Sequence, residues 1–260
     1  YIEHGMHNQA QPTKLYYINP TFRCENTQAG RQRQFHQFGI EMLGSYSAAQ
    51  DAEVISVAIT LLEEMGLEGI ELRMNSLGCP ECRAKYNKAL KEFIGQNLDK
   101  LCPTCKERFV KNPLRVLDCK EESCQHIVAN APSVLDCLDE ECTAHFQKVQ
   151  DILTANGIKF TIDPMIVRGL DYYTRTVFEF VSNGLTLCGG GRYDNLAEYY
   201  TDKKLPGVGI SIGLTRLFFV LEDQGYLNDE LVTAPADVMI IPMTEDLTAA
   251  ISLGTSLRDK

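Results

Sequence analysis

Two apolar runs flanking a polar loop constrain the fold of this chain more than any other local feature. Tyr16-Tyr17-Ile18 and Phe35 to Met42 combine aromatic and β-branched residues and read as strands on either side of an arginine-bearing hairpin loop. A hairpin returns the chain beside itself, so this pair is antiparallel. Asp51 then opens a helix in which Val54, Ile55, Ala58, Leu61, Leu62 and Met65 recur at helical spacing and Gly66 supplies the C-terminal cap. Ile70 to Met74 alternates and brings the chain back to the sheet. Strand-hairpin units without regular βαβ alternation predict an α+β fold: a mostly antiparallel sheet flanked by helices.

From Cys79 to about Phe146 the texture changes: eight of the ten cysteines fall here, among many charges and short helical patterns, and the stretch reads as an inserted cysteine-rich module. The sheet resumes after it. Val149 to Ala155 is helical, Phe160-Thr161-Ile162 and Thr176 to Val181 are strands, and Gly189 to Gly191 reads as a turn before a helix over Asn195 to Tyr200. Gly207 to Ile212 is a glycine-flanked buried strand that enters an amphipathic helix, Leu214 to Asp223. After a linker near Thr233-Ala234-Pro235, Val238 to Pro242 is expected to start a new buried strand, followed by a helix with Ala249, Leu253 and Leu257 on one face. The division expected is 1–78 and 147–232 for a core, 79–146 for the insert and 233–260 for the start of a second domain. Ile2-Glu3-His4-Gly5 reads like the middle of a segment, so the expectation is a chain without its natural start, ending inside a further domain.

A net charge of −10, from 25 basic and 35 acidic residues, argues against non-specific nucleic-acid binding, which rests on neutralising phosphates. A local basic surface for one RNA is compatible with it. No apolar run approaches the roughly 20 residues of a membrane helix, and no signal peptide is visible. Ten cysteines without an export signal point to a reducing, cytoplasmic setting in which thiols stay free or bind metal.

The hairpin loop carries Arg23, Arg31 and Arg33. A solvated loop is the plain reading of such a composition, but a guanidinium also suits a phosphate and its flat face suits an adenine ring. Phe22-Arg23-Cys24-Glu25, followed by Arg31-Gln32-Arg33-Gln34-Phe35-His36-Gln37-Phe38-Gly39-Ile40-Glu41, resembles motif 2 of the class II aminoacyl-tRNA synthetases in its histidine-specific form. Val167-Arg168-Gly169-Leu170-Asp171-Tyr172-Tyr173 resembles the first histidine-specific motif of the histidyl-tRNA synthetase family, and Cys188 to Leu196, with Gly189-Gly190-Gly191-Arg192-Tyr193-Asp194, resembles the second. Gly207 to Leu217 is similar to motif 3, and the region after Pro235 is similar to the first βα unit of the family's anticodon-binding domain. Asn26-Thr27 and Thr215 differ from residues the family usually has.

The resemblance implies a class II sheet and a histidine–tRNA ligase that takes histidine, ATP with Mg²⁺, and tRNA(His). It implies ATP contacts from Arg23, Glu25, Arg31 and Arg216, and electrostatic catalysis by Arg23 and Arg168. It assigns histidine binding to Gln37, Glu41, Arg168, Tyr172, Tyr173, Gly191 and Tyr193. An imidazole with one donor and one acceptor needs both kinds of partner, which Glu41 and tyrosine hydroxyls provide. It also implies a homodimer whose motif 1 would precede Tyr1. Two other readings share the scaffold: a histidine-sensing regulatory subunit of ATP phosphoribosyltransferase, and an RNA-binding zinc module on an inert core.

The cysteine spacing carries its own chemistry. Cys79-x2-Cys82 and Cys102-x2-Cys105, 19 residues apart, have zinc-ribbon spacing, and Cys119-x4-Cys124 and Cys137-x4-Cys142 follow. The expectation is one structural zinc on Cys79, Cys82, Cys102 and Cys105, with free thiols or interleaved quartets as alternatives. His36, on a strand beside the presumed pocket, reads as structural.

Overall fold

The computed structural model describes residues 1–24, 32–117, 119–166, 172–227 and 238–258. They form two compact units, Tyr1–Gln224 and Gly225–Lys260.

The first unit is built on seven strands: β1 (Thr13–Phe22), β2 (Gln34–Leu43), β3 (Ile70–Ser76), β4 (Thr161–Ile162), β5 (Thr174–Ser182), β6 (Leu185–Arg192) and β7 (Gly207–Gly213). Their order is β1-β2-β7-β6-β5-β3-β4. Every neighbouring pair is antiparallel except β3 with β4. The expected hairpin is present, with Thr13 opposite Leu43 and Phe22 opposite Gln34. The α+β, mostly antiparallel sheet flanked by helices is therefore the observed fold.

Side chains paired across antiparallel strands share a face. One face presents Ile40, Met42, Val208, Ile210, Ile212, Phe178 and Phe180, all buried. Three helices pack on it: α1 (Ala48–Glu64), α5 (Glu140–Ala155) and α6 (Leu214–Asp223). Each such side chain contributes about 1.5–3 kcal/mol by leaving water. Helix α1 is closed at both ends by local chemistry. The Ser47 hydroxyl accepts from the Ala49 N–H, and Gly66, at φ 82°, donates to the Glu63 carbonyl while Leu67 N–H reaches Leu62.

The structure corrects several expected elements. Helix α1 starts a turn before Asp51, because Ser47 is the cap and Asp51 is a fully buried member of the helix. Gly189 to Gly191 are not a turn but lie inside β6, hydrogen-bonded between β5 and β7. The helix expected over Asn195 to Tyr200 is a single 3₁₀ turn, Leu196–Tyr199. Helix α2 (Pro80–Gln96), α3 (Pro103–Lys111) and α4 (Glu122–Val128) fill the cysteine-rich stretch, which has a hydrophobic cluster of its own around Tyr86, Leu90 and Ile94.

In the second unit, α7 (Thr248–Arg258) forms as expected, with Asp246 accepting from the Thr248 N–H at 2.9 Å. Val238 to Pro242 is not a strand: no strand is described within this unit to take up its backbone hydrogen bonds.

The main polar contact between helix and sheet is buried. Arg192, at the end of β6, is 0% exposed, and its five N–H donors are all used. Nε and Nη2 reach Asp51 Oδ1 at 2.9 and 2.5 Å, Nη1 reaches Asp194 Oδ1 at 2.9 Å and the Ser45 carbonyl at 3.0 Å, and Nη2 reaches the Ser47 carbonyl at 3.1 Å. His145 Nε2 of α5 lies 2.7 Å from the other Asp51 oxygen. Burial would raise the Asp51 carboxyl, but the His145 hydrogen bond and the Arg192 guanidinium hold it below the ordinary carboxylate range. Removing one partner strands the other in the core. Asp51→Ala is therefore expected to lower unfolding stability by about 3–5 kcal/mol, measured by denaturant titration; a loss under ~1 kcal/mol would show that Arg192 finds other partners.

Candidate active site

The face of the sheet opposite α1 has a floor with few side chains. Gln37, Gly39 and Glu41 of β2 lie opposite Gly213, Ser211 and Gly209 of β7, and Ser211 and Gly209 lie in turn opposite Gly189 and Gly191 of β6. Period-two alternation sends all of these to one face. The missing side chains make room for particular neighbours. A Cβ on Gly209 would fall on the Glu41 carboxylate, one on Gly207 on the Tyr193 ring, and one on Gly39 on the Tyr17 ring. A Cβ on Gly191 would meet Tyr173 at 2.9 Å, so this glycine seats the tyrosine rather than facing open space.

Two cavities open on this face. One, of about 600 Å³, contains Glu41, Tyr172 and Tyr193, with Leu43, Leu196 and Leu205 among its apolar walls. The Tyr193 hydroxyl donates to Glu41 Oε2, and the Tyr172 ring meets the Tyr193 ring edge-on at 6.0 Å. Burial pushes the Glu41 carboxyl up, partly offset by the Tyr193 hydrogen bond, and burial with the Glu41 charge pushes the Tyr193 hydroxyl well up. This gives a buried acceptor beside a fixed hydroxyl within largely apolar walls, a pocket suited to a small planar ring with an N–H donor.

The second cavity, of about 210 Å³, is lined by Arg23, Phe35, Gln37, Ser211 and Arg216 among others. Arg23 leaves β1 with its N–H on the Arg33 carbonyl at 2.9 Å, and its guanidinium lies 3.9 Å from the centre of the Phe35 ring. Arg216, in the first turn of α6, donates to the Thr186 carbonyl at 2.9 Å. Two guanidiniums beside an aromatic ring suit a nucleoside polyphosphate.

The structure thus brings Glu41, Tyr172 and Tyr193 together, and separately Arg23 and Arg216. Gln37 shares the face of Glu41 but lines the arginine cavity, with its Oε1 accepting from Thr21 Oγ1 at 3.0 Å. Tyr173 is buried against Tyr172, ring centres 4.7 Å apart, and lines a neighbouring cleft with Arg83 and Cys79. Glu25, Arg31 and Arg168 lie outside the described residues. Sequence reasoning missed Tyr17, whose hydroxyl burial and the Glu41 charge push up. It also missed the spacing role of Gly207 and Gly209, although glycines two apart in a strand place both on one face.

The cysteines form two groups that differ from the expected quartet. Cys102, Cys105, Cys119 and Cys124 place their sulfurs within 4.8 Å of one another, and so do the ligand atoms of Cys79, Cys82, Asp139 and Cys142. The expected set of Cys79, Cys82, Cys102 and Cys105 is not assembled. Cys79 and Cys82 sit at the start of α2 and Cys102 and Cys105 beyond its end, and 17 helical residues span about 25 Å. Each pair instead meets partners supplied by later segments.

A mostly antiparallel sheet with a glycine floor, two pockets on one face and an inserted helical module is the architecture of the class II aminoacyl-tRNA synthetases. A family profile described as Histidyl-tRNA synthetase matches residues 1–217. The histidine–tRNA ligase of Caldanaerobacter subterraneus subsp. tengcongensis is 53% identical over 229 residues, covering 86% of this chain and 55% of that protein. The crystal structure of apo S. aureus histidyl-tRNA synthetase superposes with a TM-score of 0.69 at 35% identity, covering 99% of this chain and 63% of the other. A Bacillus halodurans protein described as an ATP phosphoribosyltransferase regulatory subunit/histidyl-tRNA synthetase shares the fold, with a TM-score of 0.59 at 22% identity over 84% of this chain and 60% of its own. The chain belongs to the histidyl-tRNA synthetase family, and it spans about 55% of the length of the curated relative quoted.

The raised Glu41 carboxyl predicts a pH-dependent affinity of this pocket for a small ring with an N–H donor, such as imidazole. An ordinary glutamate titrates near ~4.3; Glu41 gains its proton above that value and loses its role as acceptor as the pH falls. Calorimetric titration with imidazole should show affinity falling further with pH in the wild-type protein than in Glu41→Gln, the part common to both being the titration of imidazole itself. Identical pH profiles for the two proteins would remove Glu41 from ring recognition in this pocket. Gly209→Ala, which intrudes on the same carboxylate, should weaken imidazole binding in this pocket about tenfold or more, the effect of losing roughly 1.4 kcal/mol.

Proposed function

We propose that the protein is a histidine–tRNA ligase, activating histidine with ATP and transferring it to the 3′ end of tRNA(His). The observation that carries the reading is the pairing on one sheet face of a Glu41–Tyr193 pocket with a cavity lined by Arg23 and Arg216. A carboxylate oxygen of histidine attacks the α-phosphorus of ATP, and the bond to the bridging oxygen breaks as pyrophosphate leaves. The terminal ribose hydroxyl of tRNA then attacks the aminoacyl carbonyl, and AMP leaves.

No protein nucleophile is required; the work is positioning and neutralisation of charge on the phosphoryl oxygens. Arg23 takes the α-phosphate with Arg168, Phe35 packs the Arg23 guanidinium in place, and Arg216 takes the far end of the triphosphate. Glu25 and Arg31 complete the nucleotide contacts. Glu41, Tyr172 and Tyr193 hold the imidazole, with Gln37, Tyr173, Gly191 and Arg168 shaping the approach to the carboxylate. Magnesium accompanies the triphosphate as part of the substrate. Residues 1–78 and 147–232 serve as the catalytic core, 79–146 as an insert towards the tRNA and 233–260 as the start of an anticodon-binding domain. A homodimer in the cytoplasm belongs to the same reading; no described helix is long and apolar enough to cross a membrane.

A histidine-sensing regulatory subunit would need the Glu41 pocket but not the arginine cavity, and the presence of both favours the ligase. Histidine-dependent exchange of labelled pyrophosphate into ATP by the full-length polypeptide tests the choice; histidine binding without exchange would favour the regulator. Arg23→Ala is expected to lower the exchange rate by about 10²–10³-fold with histidine affinity little changed, and near wild-type exchange would remove Arg23 from catalysis.

A further inference from the structure

The two cysteine groups lie outside the two cavities described above, with Cys79 reaching the cleft beside Tyr173, and their geometry differs from that of incidental thiols. Cys102 and Cys105 flank the start of α3, Cys119 follows the 3₁₀ turn Pro113–Val116, and Cys124 lies in α4. Four residues from three segments converge with Cys105, Cys119 and Cys124 buried. The Cys102 and Cys119 sulfurs are 3.9 Å apart. Tetrahedral zinc with Zn–S bonds of about 2.3 Å holds its sulfurs about 3.8 Å apart, so little movement is needed to close a four-thiolate site. An iron–sulfur cluster spreads its cysteines over separate irons and needs a wider set.

The second group has another composition and another place. Cys79 caps α2, Cys82 lies in its first turn, Asp139 caps α5 and Cys142 lies in the first turn of that helix. The group therefore joins the point where the chain leaves the sheet for the insert to the point where it returns. Cys79 and Cys82 sulfurs are 3.4 Å apart and lie 3.1 and 3.3 Å from Asp139 Oδ2. Asp139 Oδ1 is already committed to the Cys142 N–H at 2.7 Å, which leaves Oδ2 facing the thiols. Backbone N–H groups point at sulfur in both groups, from Asp139 to Cys82 at 3.1 Å and from Cys102 to Cys124 at 3.3 Å. Such donors orient the sulfurs as metal ligands.

We propose that the chain binds two zinc ions, one on Cys102, Cys105, Cys119 and Cys124 and one on Cys79, Cys82, Asp139 and Cys142. Binding expels four thiol protons at the first site and three at the second, where Asp139 enters as a carboxylate. The first ion ties the start of α3, the segment at Cys119 and α4 together within the insert's own hydrophobic cluster. The second clasps the base of the insert beside the histidine pocket. Arg83, one turn into α2, donates to the Tyr173 carbonyl at 3.4 Å; Arg175 pairs with Glu141 at 2.5 Å, and its N–H reaches the Gly78 carbonyl at 2.8 Å. The clasp thus holds the strand that presents Tyr172 and Tyr173.

Metal content of the whole chain, purified without chelator from zinc-supplemented cells, decides the matter. Plasma mass spectrometry should find two zinc per chain, and thiol titration after denaturation with chelator should recover all ten cysteines. Cys119→Ser and Cys142→Ser should each retain one zinc, and cobalt added to the metal-free protein should give thiolate-to-cobalt absorption that falls by about half in either variant. Fewer than ten thiols, iron in place of zinc, or no metal would overturn both sites. One zinc per wild-type chain would overturn the two-ion assignment, and this measurement stands even where a variant fails to fold.

Discussion

The burial of one guanidinium governs much of this structure. Arg192 sits at the end of β6 with no exposed surface, and all five of its donors are satisfied by Asp51, Asp194 and the carbonyls of Ser45 and Ser47. A buried cation is tolerated only when paired and fully hydrogen-bonded. Satisfying it fixes four things together: the start of α1, the loop before it, the end of β6 and, through His145, the packing of α5. Its neighbours in the chain, Gly191 and Tyr193, are thereby set in register on the opposite face.

Alternation along β6 then separates two kinds of work. Arg192 points towards the helices, while Gly191 and Tyr193 belong to the ligand face. The floor there is largely backbone because Gly207 and Gly209 leave the volume that Tyr193 and Glu41 occupy. The same removal of bulk and water that shapes the pocket raises the Glu41 carboxyl, so shape and protonation are not independent. Arg23, just beyond β1, and Arg216, in the first turn of α6, reach the neighbouring cavity across the adjacent strands β2 and β7.

The insert follows a different rule. Its two CxxC pairs sit at opposite ends of α2, and the rigidity of a 17-residue helix forbids the quartet that spacing alone suggests. Each pair is completed by residues that come later in the chain, and one of these, Asp139, is a helix cap rather than a cysteine.

Local patterns made much of the fold legible. The β1–β2 hairpin, the apolar stripe and Gly66 cap of α1, and the passage from Gly207–Gly213 into α6 rest on short-range periodicity and capping, which act within a few residues. The family resemblance also pointed to Glu41, Tyr193, Arg23 and Arg216, which the sheet assembles into two pockets. Tertiary structure decided what has no short-range signal. It made Gly189 to Gly191 a strand because β5 and β7 supply partners on both sides, and it buried Asp51 because Arg192, 141 residues away in sequence, requires a carboxylate. It placed Gln37 in the arginine cavity and Tyr173 behind Tyr172, and it chose the partners of each cysteine pair. Those outcomes depend on which strands and helices become neighbours, and that is set by packing of the whole core rather than by any local run of residues.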